Sequence, residues 1–336
     1  MARLSRRAFL RIAVLAGLGV SVAALERVSR PVGLGNYLRW TTRGELERIA
    51  GRPAVIALGE CPTYADDLAG RLASLWHQAE MPDVTGKRVL VKPNLIDVIE
   101  GYPTTTAPEV VGAVLDVLTG LGASEIVVGE GSGFRREAEP VVESCGLAAE
   151  LARRHVSFVD LNYDDPRPVP VEDGWFRHAT NIWLPRHVRE ADLVVSVPKL
   201  KVHHWAGVSL SLKNLFGILP GCRYGWPKNM LHVNGIAMSV LGLYRLAQPV
   251  VSVMDGVVGM EGDGPLFGTP VPHGLLAVSA DPVAVDTLCA RLMGFDPNKI
   301  QYLWLAAWAG VGQAKRLDVR GGDVARFSRT YQPPPS

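Results

Sequence analysis

Polar residues in this chain arrive in bursts, each directly after a short run of β-branched residues. Residues 193–221, LVVSVPKLKVHHWAGVSLSLKNLFGILPG, show the pattern at its densest. The run Leu193-Val194-Val195-Ser196-Val197 has no polar alternation, so it fits a strand buried on both faces, the kind a parallel sheet makes. Pro198 cannot donate to a ladder and is expected to end that strand. Lys199, Lys201, His203 and His204 follow at once, with Lys213 and Asn214 further on. A merely solvated loop would have little use for the interleaved Leu200, Val202, Trp205 and Val208, so the stretch reads as a site rather than as ordinary surface lysines.

The rest of the chain repeats the motif. Apolar runs at 53–58, 88–91, 125–129, 156–159, 250–254 and 273–278 read as strands, and amphipathic periodicity at 65–80, 107–121, 140–154, 230–247 and 298–309 reads as helices. Thr104-Thr105-Thr106 offers caps for the second helix, Pro108 suits its first turn and Gly122 its end. Strand and helix alternate, which predicts an α/β fold: a doubly wound, mostly parallel sheet with helices on both faces and right-handed crossovers. The periodicity fails at 164–183, where Asp165-Pro166-Arg167-Pro168 is turn chemistry, so an inserted loop or small subdomain is expected there. The predicted organisation is a signal segment over 1–25, a connector over 26–52, a single α/β domain over 53–320 and a tail over 321–336 that frays.

Polar residues fall just past the carboxyl end of successive strands: Lys92 and Asn94, Glu130 and Ser132, Asp160, Lys199 and Lys201, Asp255, and Asp281. Ligands of open parallel sheets bind in the crevice outside those ends, so the expectation is one cleft taking an anionic small molecule, phosphate or carboxylate. Lys92, Asn94, Glu130, Ser132, Lys199, Lys201 and Asn214 are the ligand-binding candidates. His203, His204 and Lys213 are the catalytic ones, since imidazole titrates near neutrality and an amine is a compact base. Asp255, Glu261 and Asp263, on a backbone made pliable by Gly259, Gly262 and Gly264, are candidates for holding a divalent metal.

A formal net charge of +2 with 20% charged residues gives no broad basic field, so nucleic acid is not expected as a partner. The four cysteines, Cys61, Cys145, Cys222 and Cys289, lie far apart with no C-x-x-C pair, which excludes an iron–sulfur motif or a zinc ribbon and leaves one or two disulfides open.

Ser5-Arg6-Arg7-Ala8-Phe9-Leu10, followed by an apolar run over 12–25 that Glu26 and Arg27 close, resembles a twin-arginine (Tat) export signal, with Val22-Ala23-Ala24 as a small-residue cleavage site. The run is short of the roughly 20 residues that span a bilayer. The resemblance implies the Tat machinery as a partner, a periplasmic or otherwise extracytoplasmic location, and a membrane tether if the signal is not cleaved.

Lys92-Pro93-Asn94, Val197-Pro198-Lys199-Leu200-Lys201-Val202-His203, Ser211-Leu212-Lys213-Asn214-Leu215-Phe216-Gly217, Asp255-Gly256, Glu261-Gly262-Asp263-Gly264-Pro265 and Asp281-Pro282-Val283-Ala284-Val285-Asp286 together resemble the domain-of-unknown-function 362 family. That resemblance implies no reaction. Some relatives carry a ferredoxin-like iron–sulfur module, which this cysteine pattern lacks. Residues 211–221 are also faintly similar to the lysine-bearing loop of nickel-pincer lactate racemases. The sequence reads as an exported α/β enzyme of unknown reaction with an anion-binding Lys/His cleft. The alternatives are a non-catalytic periplasmic ligand- or cofactor-binding protein and a redox protein.

Overall fold

The computed structural model describes residues 32–134, 137–171, 174–177 and 179–335. The signal-like segment 1–25 and the first residues of the expected connector lie outside the described residues. The strands are β1 (Ala54–Glu60), β2 (Arg88–Pro93), β3 (Glu125–Glu130), β4 (Ser157–Asp160), β5 (Arg167–Pro170), β6 (Asn181–Leu184), β7 (Leu193–Val197), β8 (Lys199–His203), β9 (Gly207–Ser209), β10 (Val250–Glu261), β11 (Thr269–Ser279) and β12 (Leu317–Arg320). The main sheet runs β12-β1-β11-β10-β7-β2-β3-β4. From β10 through β7, β2 and β3 to β4 every pairing is parallel. β5 and β6 form a separate antiparallel hairpin, the small insertion expected between 164 and 183.

The lack of alternation in the central strands has a direct cause. Side chains point to opposite faces in turn, and both faces are covered. Leu90 and Val194 enter one core with Val240, Val285 and Leu305, from the helices Ile236–Ala247, Pro282–Leu292 and Gln301–Ala309. Val89, Val91, Val195 and Val197 enter the other with Leu72, Val114 and Leu151, from the helices Leu68–Gln78, Pro108–Gly120 and Leu147–Arg154. The register then sets the polar residues on one edge: Lys92 is opposite Ser196, Glu130 opposite Asp160, and Asp255 opposite Lys199.

The structure departs from the expectation in several places. β11 runs antiparallel to both β1 and β10, so beyond Ser279, which is level with Ser252, the chain heads toward the amino ends of the parallel strands and away from Asp255. Asp281 therefore leaves the expected cleft. Its carboxylate caps the helix Pro282–Leu292, accepting from Val283 N at 2.8 Å, Ala284 N at 3.1 Å and Gln313 N at 2.7 Å. Asp281→Ala is expected to cost about 1–2 kcal/mol of stability through the lost cap, read by denaturant unfolding.

Pro198 ends β7 at Val197 as expected, but the extended chain resumes directly after it. It turns the strand toward β10, whose Asp255 N–H donates to Pro198 O at 2.9 Å, and β8 continues beyond it, paired with both β10 and β9. The expected connector contains a helix, Leu34–Ala50, that packs on the domain: Trp40 stacks on Trp175 at 3.9 Å between ring centroids, and Arg43 Nε donates to Ala309 O at 2.7 Å. The tail docks instead of fraying, with Tyr331 buried, its hydroxyl 3.0 Å from His273 Nδ1 and its main-chain N–H on Met293 O. All four cysteines are free. Among the described residues no helix is long and apolar enough to cross a membrane.

Candidate functional site

Lysines gather at the carboxyl edge of the parallel strands, and their partners divide them into distinct roles. Lys92, fully buried at the end of β2, donates to Glu130 Oε2 at 2.6 Å, Pro93 O at 2.7 Å and Asn214 Oδ1 at 3.0 Å. An ammonium has three hydrogens, and all are used. Burial pulls the Lys92 pKa down while Glu130 pushes back. Asn214 spends its own amide on Lys92 O and Ser196 Oγ.

Lys199 makes a second buried ion pair, with Asp255 Oδ2 at 3.0 Å, and also donates to the Tyr64 hydroxyl. Asp255 is saturated: Oδ1 accepts from Tyr64 Oη at 3.1 Å and Val257 N at 3.3 Å, and Oδ2 also accepts from Ala107 N at 2.9 Å. Ala107 opens the helix Pro108–Gly120, so this carboxylate ties that helix to the sheet at its positive end. Lys92, Lys199, Asn214 and Asp255 are thus the frame of the site and have little left for a ligand.

The frame encloses a cleft of about 210 Å³ lined by Asn94, Leu95, Glu130, Ser132, Phe134, His203, His204, Trp205, Lys213, Phe216, Lys228 and His232, among others. Lys213 sits on the helical turn Ser211–Asn214. That turn is held by the buried Asp286, which accepts from Ser211 N at 2.8 Å and Leu212 N at 2.9 Å. The Lys213 amine has no hydrogen-bond or ion-pair partner among the described residues and lies 3.8 Å from the centroid of the Phe216 ring. Burial first, and then the charge of Lys92, pull its pKa down to about 7. Lys228 donates to Gly131 O at 2.6 Å and more weakly to Phe216 O at 3.4 Å, which leaves an ammonium hydrogen for the cleft. Its pKa is also drawn down to about 7, chiefly by burial.

The histidines are fixed in opposite tautomers. His203 Nδ1 accepts from Trp205 N at 3.1 Å and Ala206 N at 3.3 Å, so its proton is on Nε2; burial and Lys213 lower its pKa to about 2, and it stays a neutral donor. His204 Nδ1 is 2.9 Å from Gly264 O, an acceptor only, so Nδ1 carries a proton and in the neutral ring Nε2 is the nitrogen with the lone pair. The Asn94 side chain is buried, and its Oδ1 has no partner among the described residues. Lys201 is buried away from the cleft lining, donates among the described residues only to Thr104 O at 2.8 Å, and burial together with Lys199 and Lys213 pushes its pKa far down.

The match to known proteins covers this same region. The family model described as "Domain of unknown function (DUF362)" matches residues 89–291, more than half of the chain. The chain belongs to the DUF362 family. The thylakoid-associated protein sll1697 of Synechocystis sp. is 31% identical over 218 residues, which cover 64% of this chain and 65% of that one, just under two thirds of its length. Among solved structures, the lactate racemase apoprotein of Thermoanaerobacterium thermosaccharolyticum matches with a TM-score of 0.43 and 15% identity, over 74% of this chain and 58% of that one. A Thermotoga maritima protein matches with a TM-score of 0.40 and 12% identity, over 70% and 60%.

Seen against this DUF362 chain, the metal candidates do not assemble. Asp255 is consumed by Lys199, Tyr64 and backbone amides, Glu261 Oε2 accepts from Gln332 N at 2.9 Å, and Asp263 is exposed. Among the described residues no group of three or more His, Cys, Asp or Glu side chains is arranged to hold an ion. Conversely, Lys228 and His232 line the cleft and were not singled out from the sequence. Lys228 caps the short helix Asn229–Asn234, which carries His232, and the helical period over 230–247 gives no sign that this first turn is a separate helix. Lys228 has φ of 65°, an unusual value for a residue with a Cβ, and is held there by its side-chain bonds to Gly131 O and Phe216 O and its main-chain bond to Gly225 O.

Gly217 is required by close approach. A Cβ there would meet Glu130 Oε1 at 1.7 Å and Lys92 Cε at 2.7 Å, both locked in the buried pair. Gly217→Ala is expected to destabilise by at least about 1–3 kcal/mol by overpacking, measured by thermal unfolding.

The lysine shifts also fix the sign of a pH dependence. Folded Lys213 and Lys228 release their protons near pH 7, whereas an unfolded lysine holds its proton to the ordinary 10.5. Between those values the unfolded state binds more protons, so stability is expected to rise with pH across that window. Denaturant midpoints at pH 7 and pH 9 check this, and the rise should shrink in Lys213→Met/Lys228→Met.

Proposed function

We propose that this protein is an enzyme that binds a small organic anion, a carboxylate or phosphate, and moves a proton on it. Lys213 is the reactive amine, Lys228 and His203 Nε2–H are the anion donors, and His204 Nε2 is the base. The observation that carries this reading is the Lys213 amine in the cleft, which has no hydrogen-bond or ion-pair partner among the described residues, whereas Lys92 and Lys228 beside it are held by hydrogen bonds. A half-buried ammonium with no direct ion-pair partner, with Glu130 nearby already spent on Lys92, is stabilised by an anion that arrives with the ligand. The histidine tautomers add one fixed donor and one fixed acceptor at the same place.

The test is thermal unfolding with inorganic phosphate as the probe. Phosphate should raise the melting temperature more at pH 6 than at pH 9, because Lys213 and Lys228 carry their protons only at the lower value. The gain should vanish in Lys213→Met/Lys228→Met. An equal gain in that variant would place the anion elsewhere and remove the reading.

We also propose that the chain is exported by the Tat machinery and works outside the cytoplasm, a reading supported by the Arg6-Arg7 motif and the apolar run behind it. The Tat system reads paired guanidinium groups, and lysine keeps the charge but not the planar fork. Arg6→Lys/Arg7→Lys is expected to leave the protein in the cytoplasm in a fractionation assay; unchanged export of the variant would contradict the proposal.

A further inference from the structure

Resting on the anion cleft proposed above, we infer that Lys213 forms an imine with a small oxo acid, a carbonyl compound that also carries a carboxylate or phosphate. An amine attacks a carbonyl only through a free lone pair, at a place where the substrate can be held without using that amine as its anchor. Both conditions are met here. Lys213 makes no hydrogen bond or ion pair among the described residues, and the Phe216 face supports its head at 3.8 Å without competing for the lone pair. Lys228, with an ammonium hydrogen to spare, and His203, a fixed Nε2–H donor, line the same cleft and can take the anionic end. The buried Asn94 amide oxygen, without a partner among the described residues, can accept from the hydroxyl of the adduct.

Near neutral pH a solvated lysine is almost all ammonium and has no lone pair to offer. Burial and the neighbouring charge of Lys92 bring Lys213 to about 7, where about half of it is free amine. The same two causes, an apolar surround and a cationic neighbour, activate imine-forming lysines in general.

The step balances with one proton from solvent. The nitrogen lone pair bonds to the carbonyl carbon, and the C=O π electrons move to oxygen. That oxygen takes the solvent proton and one from nitrogen and departs as water, leaving a protonated C=N bond. This cation withdraws electrons from the adjacent carbon, so a C–H there loses its proton to the free lone pair on His204 Nε2, and the bonding pair forms the enamine. Hydrolysis by water reverses the sequence and releases the amine. Phe134 and Trp205 line the cleft yet are 57% and 66% exposed, so they stand at its mouth as apolar walls over the reacting carbon.

The experiment incubates the full-length protein with pyruvate and sodium cyanoborohydride, which reduces an imine to a stable secondary amine, and locates the carboxyethyl group by peptide mass spectrometry. The expected result is a label concentrated on Lys213, suppressed by inorganic phosphate, and at least about tenfold greater than with acetone, the factor one charge-assisted hydrogen bond supplies. Lys213→Arg should lose the label. Label spread over surface lysines with none enriched at Lys213, while phosphate still raises the melting temperature, would overturn the imine and leave the anion cleft standing. Acetone labelling Lys213 as fast as pyruvate would overturn the oxo-acid assignment, and an absence of any phosphate effect on melting would remove the anion reading beneath it.

Discussion

Lys199→Met is expected to lower the unfolding free energy by about 3–5 kcal/mol, because it leaves a buried carboxylate without its cation. Asp255 has no solvent to fall back on: it is fully buried, and its remaining partners are the Tyr64 hydroxyl and the amides of Ala107 and Val257. The helix Pro108–Gly120 is tethered through that carboxylate, so the damage should reach beyond the pair. Lys201→Met should behave in the opposite way. Among the described residues its amine has one carbonyl partner and no carboxylate, so methionine keeps the apolar stem, removes a costly buried group and should leave stability equal or higher. Equilibrium urea unfolding of the two variants separates them; a Lys199→Met protein as stable as wild type would show that the Lys199–Asp255 pair does not hold the edge of the sheet.

Lys213→Met is expected to abolish oxo-acid labelling at the cleft, by more than about a hundredfold, while raising the melting temperature at pH 6 by roughly 2 °C. The two changes have one cause. At pH 6 the empty protein must hold a charged amine in a cleft that disfavours it, and methionine removes that cost together with the chemistry. Loss of labelling with a lower melting temperature would mean that Lys213 is a structural residue. Stability and function pull in opposite directions at reactive buried groups, and this residue should show it.

How far the sequence could be read is clearest in these same lysines. The runs ending at Lys92, Glu130 and Val197 announce strands because burial on both faces removes all polar alternation, and parallel strands bring their carboxyl ends to one edge. Sequence reasoning thus reached the cleft. It could not tell Lys199 from Lys213. Spacing predicts that Lys199 and Lys201 share a side and face an anion, but Lys199 meets Asp255 through a pairing of β8 with β10, a contact between segments far apart in the chain. The antiparallel β11 was equally hidden, since an apolar run carries no direction, and Asp281 was placed at the wrong edge as a result. Helix 230–247 divides at Gly235, whose φ of 93° breaks the period, and Lys228 and His232 beside it were lost with that break. The docked tail depends on Tyr331 reaching His273, which no local pattern records.

The most direct measurement is the titration of the Lys213 amine itself. Trace labelling with acetic anhydride across pH 5–11, read by peptide mass spectrometry against surface lysines as internal standards, reports the fraction of free amine at each pH. The expected midpoint for Lys213 is about 7, moving upward when inorganic phosphate is present because the bound anion favours the ammonium form. A midpoint at the ordinary lysine value near 10.5, unmoved by phosphate, would contradict the account: Lys213 would then be an ordinary solvated ammonium, and the cleft would have neither its nucleophile nor its anion.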